Sequence, residues 1–300
     1  MPALTAPDCQ SPTLMTRTPM PRKIWDPRRA AAKSRNPGRD RRPKGRQAVP
    51  FKSPRHPAST PDRVVLYGWH PVKAALENPN RRIRRLLVTG NALRRLQHDR
   101  TRLPVEPEIG GPDAFLAYVP ADAVHQGMLV WADPLPTPAI EDLDSDGTVL
   151  VLDQITDPHN VGAILRSAAA FGASALITTT RHSPEATGAL AKSASGALEY
   201  VPILAIPNLA RSLEALKARG FLVVGLDSDA ELELSATPLR LPLALVLGAE
   251  GKGLRQLTRT TCDTLAKLAL PGRIKSLNVS NAAALALHIA STRLSRALPG

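Results

Sequence analysis

Residues 148–172 read "TVLVLDQITDPHNVGAILRSAAAFG", and the first few of them decide the fold. Val149 to Leu152 is an unbroken apolar run of strand length. A strand with one buried face alternates polar and apolar side chains. An unbroken run therefore marks a strand covered on both faces, as in a parallel sheet. A polar stretch follows, and then an Ala/Ile/Leu helix that Gly172 stops. Asp157 or Asn160 can start that helix, and Pro158 suits its first turn.

The same rhythm runs to the C-terminus. Strand-like runs "ASALITT", "YVPILAI", "FLVVGLDS", "LALVLGAEG" and "TLAKLALPG" are interleaved with helices "EATGALAKSASGAL" and "NLARSLEALKARG" and the final "AAALALHIA". Strands alternating with helices predict an α/β fold, a mostly parallel sheet with helices on both faces, over residues 148–300. Upstream, "VVLYGWHPVKAALENP", "RRIRRLLVTG", "NALRRLQHDR" and "VHQGMLVWADPL" predict a small α/β domain over 63–134. The Pro-rich, then acidic stretch 135–147 reads as a linker.

Charge sits elsewhere. The chain has 39 Lys+Arg against 26 Asp+Glu, formally +13. Residues 1–60 carry 14 Lys/Arg, three Asp and 11 of the 29 prolines, so +11 of the charge lies there and about +2 over 61–300. Such a segment buries too little apolar surface to offset its ordering entropy, so residues 1–62 are expected to be a disordered basic tail. A basic arm favours polyanions, whose phosphates it contacts with release of counterions. The two cysteines, Cys9 and Cys262, form no CxxC or Cys/His cluster, so no zinc site or disulfide framework is expected. No apolar run reaches about 18 residues, so no membrane span is expected. A cytoplasmic location fits these features.

Four strand ends are unusually polar or glycine-rich, and ligands of parallel sheets bind outside the carboxyl ends of strands. The first, "DQITDPHNVGAILR", offers Asn160 and Arg166. The second, "LVLGAEGKGL", spaces Gly248, Gly251 and Gly253 as G-x-x-G-x-G around Glu250; this is neither the dinucleotide fingerprint nor the phosphate loop. Glu250 could pair with an Arg such as Arg166. The third, "LALPGRIKSLNVSNAA", packs Ser276, Asn278, Ser280 and Asn281 ahead of an apolar helix. One cap residue would serve that helix, so four point to a site as well. The fourth, "ITTTRHSP", offers Thr178.

Together and in this order, these segments resemble the three motifs of the SpoU-type RNA ribose 2′-O-methyltransferases of the SPOUT superfamily. "SASGALEYVP" between them is also similar, while "LYGWHPVKAALENP" and "VHQGM" resemble the small RNA-binding domain that precedes the catalytic domain in bacterial large-subunit ribosomal RNA guanosine 2′-O-methyltransferases. The resemblance covers roughly residues 64–298. It implies a deep C-terminal trefoil knot, a homodimer, RNA as substrate, and S-adenosylmethionine as methyl donor without a metal. It also implies catalytic roles for Asn160, Arg166, Ser276 and Asn278, with Glu250 orienting Arg166 or its surroundings. Gly248, Gly251, Leu268, Leu270 and Leu277 would contact the donor, with Thr178 and Ile203 lining the pocket. Ser280 or Asn281 is left to cap the helix. Two departures stand out: Asn281 occupies a commonly apolar position, and "LALPG" replaces the commoner "IPMxG".

Arg stays protonated in proteins, so Arg166 is expected to grip a phosphate beside the target ribose rather than act as a base. Two alternatives stay open: a transfer-RNA ribose 2′-O-methyltransferase, and a non-catalytic RNA-binding assembly factor.

Overall fold

The computed structural model describes residues 63–120, 123–181 and 188–297; the expected tail, 1–62, lies outside them. Two sheets organise the chain. The first takes β1 (Val64–Tyr67), β2 (Ile83–Val88), β3 (Pro107–Ile109) and β4 (Met128–Ala132) in the order β1-β4-β2-β3, with α1 (Trp69–Glu77) and α2 (Gly90–His98) between strands. β4 runs antiparallel to β1 and β2, and β3 is parallel to β2.

The second sheet has seven strands, all paired in parallel: β5 (Thr148–Asp153), β6 (Ala175–Thr179), β7 (Ile203–Ile206), β8 (Leu222–Leu226), β9 (Leu232–Glu233), β10 (Leu243–Gly248) and β11 (Thr264–Lys267). Their order is β7-β6-β5-β10-β8-β11-β9. The connecting helices are α3 (Pro158–Ala170), α4 (Gly188–Ala194), α5 (Leu209–Ala218), α6 (Gln256–Thr261) and α7 (Val279–Ala297). β5 shows why its sequence is unbroken. Leu150 and Leu152 enter a core with Ile164 and Leu165 of α3 and Leu287 of α7, while Val149 and Val151 enter the opposite core with Leu213 and Leu216 of α5. Among the described residues no helix is long and apolar enough to cross a membrane.

The structure adds to the sequence reading in three places. Two short strands, β3 and β9, and the six-residue α6 are too brief for a periodic signal. The stretch expected as a linker is docked: Leu143 is buried against α5, and the Arg219 guanidinium donates to the carbonyls of Glu141 and Leu143. The helix expected over "EATGALAKSASGAL" is described from Gly188 and yields at Gly196, in left-handed backbone, to a 3-10 turn over Ala197–Glu199.

That turn joins the sheets. Arg81, just before β2, makes a buried ion pair with Glu199 at 2.6 Å, the two side chains 4% and 1% exposed. Asn78 Nδ2 donates to Glu199 Oε2 at 2.8 Å, and Arg81 also donates to the Asp133 carbonyl at 2.8 Å. A Cβ on Gly196 would lie 2.8 Å from Ala74 Cβ, so only glycine lets the turn sit this close to α1.

Candidate active site

The carboxyl ends of β8, β10 and β11 open onto one cleft of about 350 Å³. Of the predicted donor contacts, Gly248, Gly251, Leu268, Leu270 and Leu277 line it, together with Glu250 and Ser276. Its shape begins with the glycine loop after β10. The Gly253 N–H donates to the Ala249 carbonyl at 2.8 Å, folding the loop back on itself. At Gly248 a Cβ would fall 2.2 Å from the Gly253 carbonyl carbon, so no other residue fits. Gly251 and Gly253 take positive φ angles of 74° and 63°, open to glycine without strain. The far side is the segment 270–277, tied by Lys275 Nζ donating to the Leu270 carbonyl at 2.7 Å.

Three distant segments meet at Asn278. Its Nδ2 donates to Asn160 Oδ1 at 3.0 Å and to Glu250 Oε1 at 2.8 Å. The Val279 N–H adds a bond to the same carboxylate oxygen at 3.1 Å. Asn278 Oδ1 accepts the Ser280 N–H at 2.9 Å and the Ser280 hydroxyl at 2.6 Å, and its carbonyl accepts the Ala282 N–H. Asn278 is therefore both the cap of α7 and the node of the polar network; the cap expected of Ser280 or Asn281 falls to it. Asn160 is free for the node because Asp157 caps α3, its carboxylate accepting the His159 and Asn160 N–H groups at 3.2 and 3.4 Å.

Other expected residues stand elsewhere. Arg166 is exposed on α3, with no hydrogen bond or ion pair among the described residues. It lies six residues beyond Asn160, about 9 Å along the helix axis. Within this chain Glu250 makes no hydrogen bond or ion pair with it: Glu250 Oε1 accepts from Asn278 Nδ2 and the Val279 N–H. Thr178 is buried in β6, which β5 separates from β10, and it does not line the cleft. Ile203 begins β7, at the amino edge of a parallel sheet whose carboxyl edge carries the cleft, so it too stands apart. The resemblance implies that both line the donor pocket; strand order sets Thr178 apart from this cleft and strand direction sets Ile203 apart.

Sequence reasoning missed Asp153. Fully buried at the end of β5, it accepts the Arg255 N–H at 3.0 Å and Arg255 Nε at 2.7 Å, anchoring the exit of the glycine loop. A charge closing an otherwise apolar strand was the available signal. Asp227, after β8, also lines the cleft and is held by Arg259 at 2.9 Å. Among the described residues no group of three or more His, Cys, Asp or Glu side chains could hold a metal ion.

Comparison with known proteins agrees with this arrangement of sheet and loops. Residues 147–288 match the SpoU rRNA Methylase family. The chain is 39% identical over 236 residues to the 23S rRNA (guanosine-2′-O-)-methyltransferase RlmB of Pseudomonas putida, covering 74% of this chain and 93% of that protein. It is 37% identical over 238 residues to RlmB of Ralstonia nicotianae, again with 74% and 93% coverage. Among solved structures, the SpoU methyltransferase AviRb from Streptomyces viridochromogenes, in complex with AdoMet, superposes with a TM-score of 0.66 at 24% identity, covering 77% of this chain and 90% of that one. An AdoMet-bound rRNA methyltransferase from Sinorhizobium meliloti gives 0.65 at 22% identity, covering 78% and 88%. With a relative matched over nearly its whole length and the family's segments meeting at Asn278, this chain belongs to the SpoU rRNA methylase family.

Proposed function

We propose that the chain transfers a methyl group from S-adenosylmethionine to the ribose 2′-hydroxyl of a guanosine in 23S ribosomal RNA. The single observation that carries the reading is the meeting of Asn160, Glu250 and Asn278 at the mouth of a cleft built from strand carboxyl ends. The near full-length relatives supply the substrate class. The cleft suits the donor: its volume is within the small-molecule range, Leu268 and Leu277 give apolar wall, and the carboxylates of Asp227 and Glu250 complement a cationic ligand.

Backbone groups about Gly248, Gly251, Leu268, Leu270 and Leu277 would hold the donor. When bound, it supplies an electrophilic methyl carbon on a sulfonium. What the chain contributes is placement. An in-line displacement gains most from a fixed near-attack geometry, and the Asn278 node fixes the segment that presents Ser276 to the cleft. Ser276 orients the ribose hydroxyl, while Asn278, held in its rotamer by Asn160 and Glu250, orients the loop that carries Ser276. Arg166, unpaired and permanently charged, grips the phosphate beside the target ribose.

The reading includes a homodimer, a cytoplasmic location and a trefoil knot in the C-terminal segment. α7 supports the first: Leu285 and Ile289 remain half-buried within its largely apolar stretch 282–290, and Arg166 is exposed on the neighbouring α3. Residues 63–134 serve as the RNA-binding domain, 135–147 as its docked linker, 148–300 as the catalytic domain, and 1–62 as a basic arm.

Methyl transfer from labelled S-adenosylmethionine to 23S rRNA transcripts, with the modified ribose mapped, tests the reading. Wild type should label one guanosine 2′-oxygen, and Arg166→Ala and Asn278→Ala should abolish labelling while the protein stays folded. Labelling of transfer RNA alone would favour the transfer-RNA alternative, and donor binding without labelling of any RNA would favour the non-catalytic factor. Full activity in either variant would refute the assigned roles.

A further inference from the structure

A second cavity of about 350 Å³ lies in the first sheet, remote in sequence from the motifs, where the turn before β4 meets the start of α2. Its polar and aromatic side chains are Trp69, Thr89, Asn91, Arg95, His125 and Gln126, with no carboxylate among them. Their hydrogen-bonding capacity is lopsided. Gln126 Oε1 accepts the Trp69 N–H at 2.7 Å, leaving the amide NH₂. Asn91 Oδ1 accepts from Arg94, again leaving an NH₂. His125 Nδ1 accepts the Gly127 N–H at 3.2 Å, which places the ring proton on Nε2. Burial pushes its pKa down, which favours the neutral ring. The Thr89 hydroxyl oxygen accepts the Ala92 N–H at 3.3 Å, leaving its proton. These acceptors are engaged within the protein, and the groups still to be satisfied are donors.

Arg95 adds the charge. Its guanidinium carbon lies 3.6 Å from the centroid of the buried Trp69 ring, a cation–π contact. It has no hydrogen bond or ion pair to another described residue. Several other basic side chains of this region are paired with acids: Arg81 is bound to Glu199, Arg84 to Asp133, Arg85 to Glu108, and Lys73 to Asp99. Asp99, the acid that feels the charge of Arg95, is thus already bound at 2.8 Å. The turn is also strained to reach this state. Gln126 has φ 51°, left-handed for a residue with a side chain, and at Gly127, φ 72°, a Cβ would fall 2.4 Å from Thr89 Oγ1.

We infer that this cavity is an anion site that takes a phosphodiester of the substrate RNA, with Arg95 as its charged anchor and Asn91, His125 and Gln126 as neutral donors. The occupant rests on the proposed RNA substrate, and the site would dock the RNA away from the methyl-transfer cleft. A neutral ligand would leave the guanidinium without a counter-charge, whereas a phosphate has the acceptors and the charge to match.

The test measures binding of the full chain to a 23S rRNA transcript across a salt series, alongside calorimetric titration with S-adenosylmethionine. Arg95→Gln should weaken RNA binding about tenfold or more near 0.1 M salt, the effect of removing one charge-assisted hydrogen bond. It should also flatten the log–log salt slope by about 0.7–0.9, the release from one phosphate. Gln126→Glu, which keeps the acceptor for the Trp69 N–H but puts an acid in the cavity, should weaken RNA binding as well. Arg84→Gln removes a charge already neutralised by Asp133 and should match wild type. S-adenosylmethionine affinity should be the same in all four proteins. Wild-type RNA affinity and slope in Arg95→Gln would overturn the site, as would an equal weakening in Arg84→Gln. If wild type methylates its RNA while Arg95→Gln binds normally, only this inference fails. If wild type transfers no methyl group yet Arg95→Gln loses RNA binding, the site stands and the catalytic reading fails.

Discussion

Asn278 has two duties that can be separated by substitution. Its Oδ1 caps α7 through the Ser280 N–H, while its Nδ2 ties together Asn160 and Glu250. Asp is as good a cap as Asn but has no N–H to donate. Asn278→Asp should therefore keep the cap of α7 while placing a carboxylate against Glu250 and breaking the node. Asn278→Ala loses both functions, at about 0.5–2 kcal/mol for the cap alone. Single-turnover methyl transfer should fall by on the order of 10²-fold or more in both, the cost of a misplacement of about 1 Å. Retained transfer in Asn278→Asp would reduce the node to a cap. The opening of α7 illustrates what a sequence leaves open: Ser276, Asn278, Ser280 and Asn281 all satisfy the cap rule, and only the position of Glu250, 28 residues earlier, selects Asn278.

At the scale of elements, the long strands and helices were legible because two opposed cores demand apolar residues on both faces of β5, β6 and β10, and because Gly172 and Gly220 stop α3 and α5 in left-handed backbone. The junction between the sheets was not legible. Glu199 reads as an ordinary surface acid, yet its side chain is 1% exposed and paired with Arg81, 118 residues away. Removing one partner of such a pair leaves the other charge buried, which costs about 3–5 kcal/mol. Glu199→Ala should lower the unfolding free energy measured by urea titration by that amount. The double variant Arg81→Met/Glu199→Leu, with no charge left to bury, should recover most of it. Equal stability of Glu199→Ala and wild type would mean that the sheets are held by Gly196 and its apolar neighbours alone. Thr178 and Ile203 lie outside the cleft for a related reason: resemblance names residues one by one, but strand order and direction decide which of them share an edge.

On the scale of the whole molecule, the charge is divided between a basic segment, about +11 over residues 1–60, and a nearly neutral remainder. In the remainder many basic side chains are already paired with acids, as at Arg81, Arg84, Arg85 and Arg255. RNA affinity from the 61–300 part then depends on the cations not paired with acids, Arg95 and Arg166 among them, while the basic segment 1–60 is expected to add a sequence-independent share. Deleting residues 1–60 should leave S-adenosylmethionine affinity unchanged and weaken RNA binding most at low salt. Every phosphate that the deletion frees should reduce the log–log salt slope by about 0.7–0.9. The deletion and Arg95→Gln act on separate phosphates, so their effects on the slope should add when combined. A slope unchanged by the deletion would show that the basic segment does not touch the RNA, and would leave recognition to the two sheets.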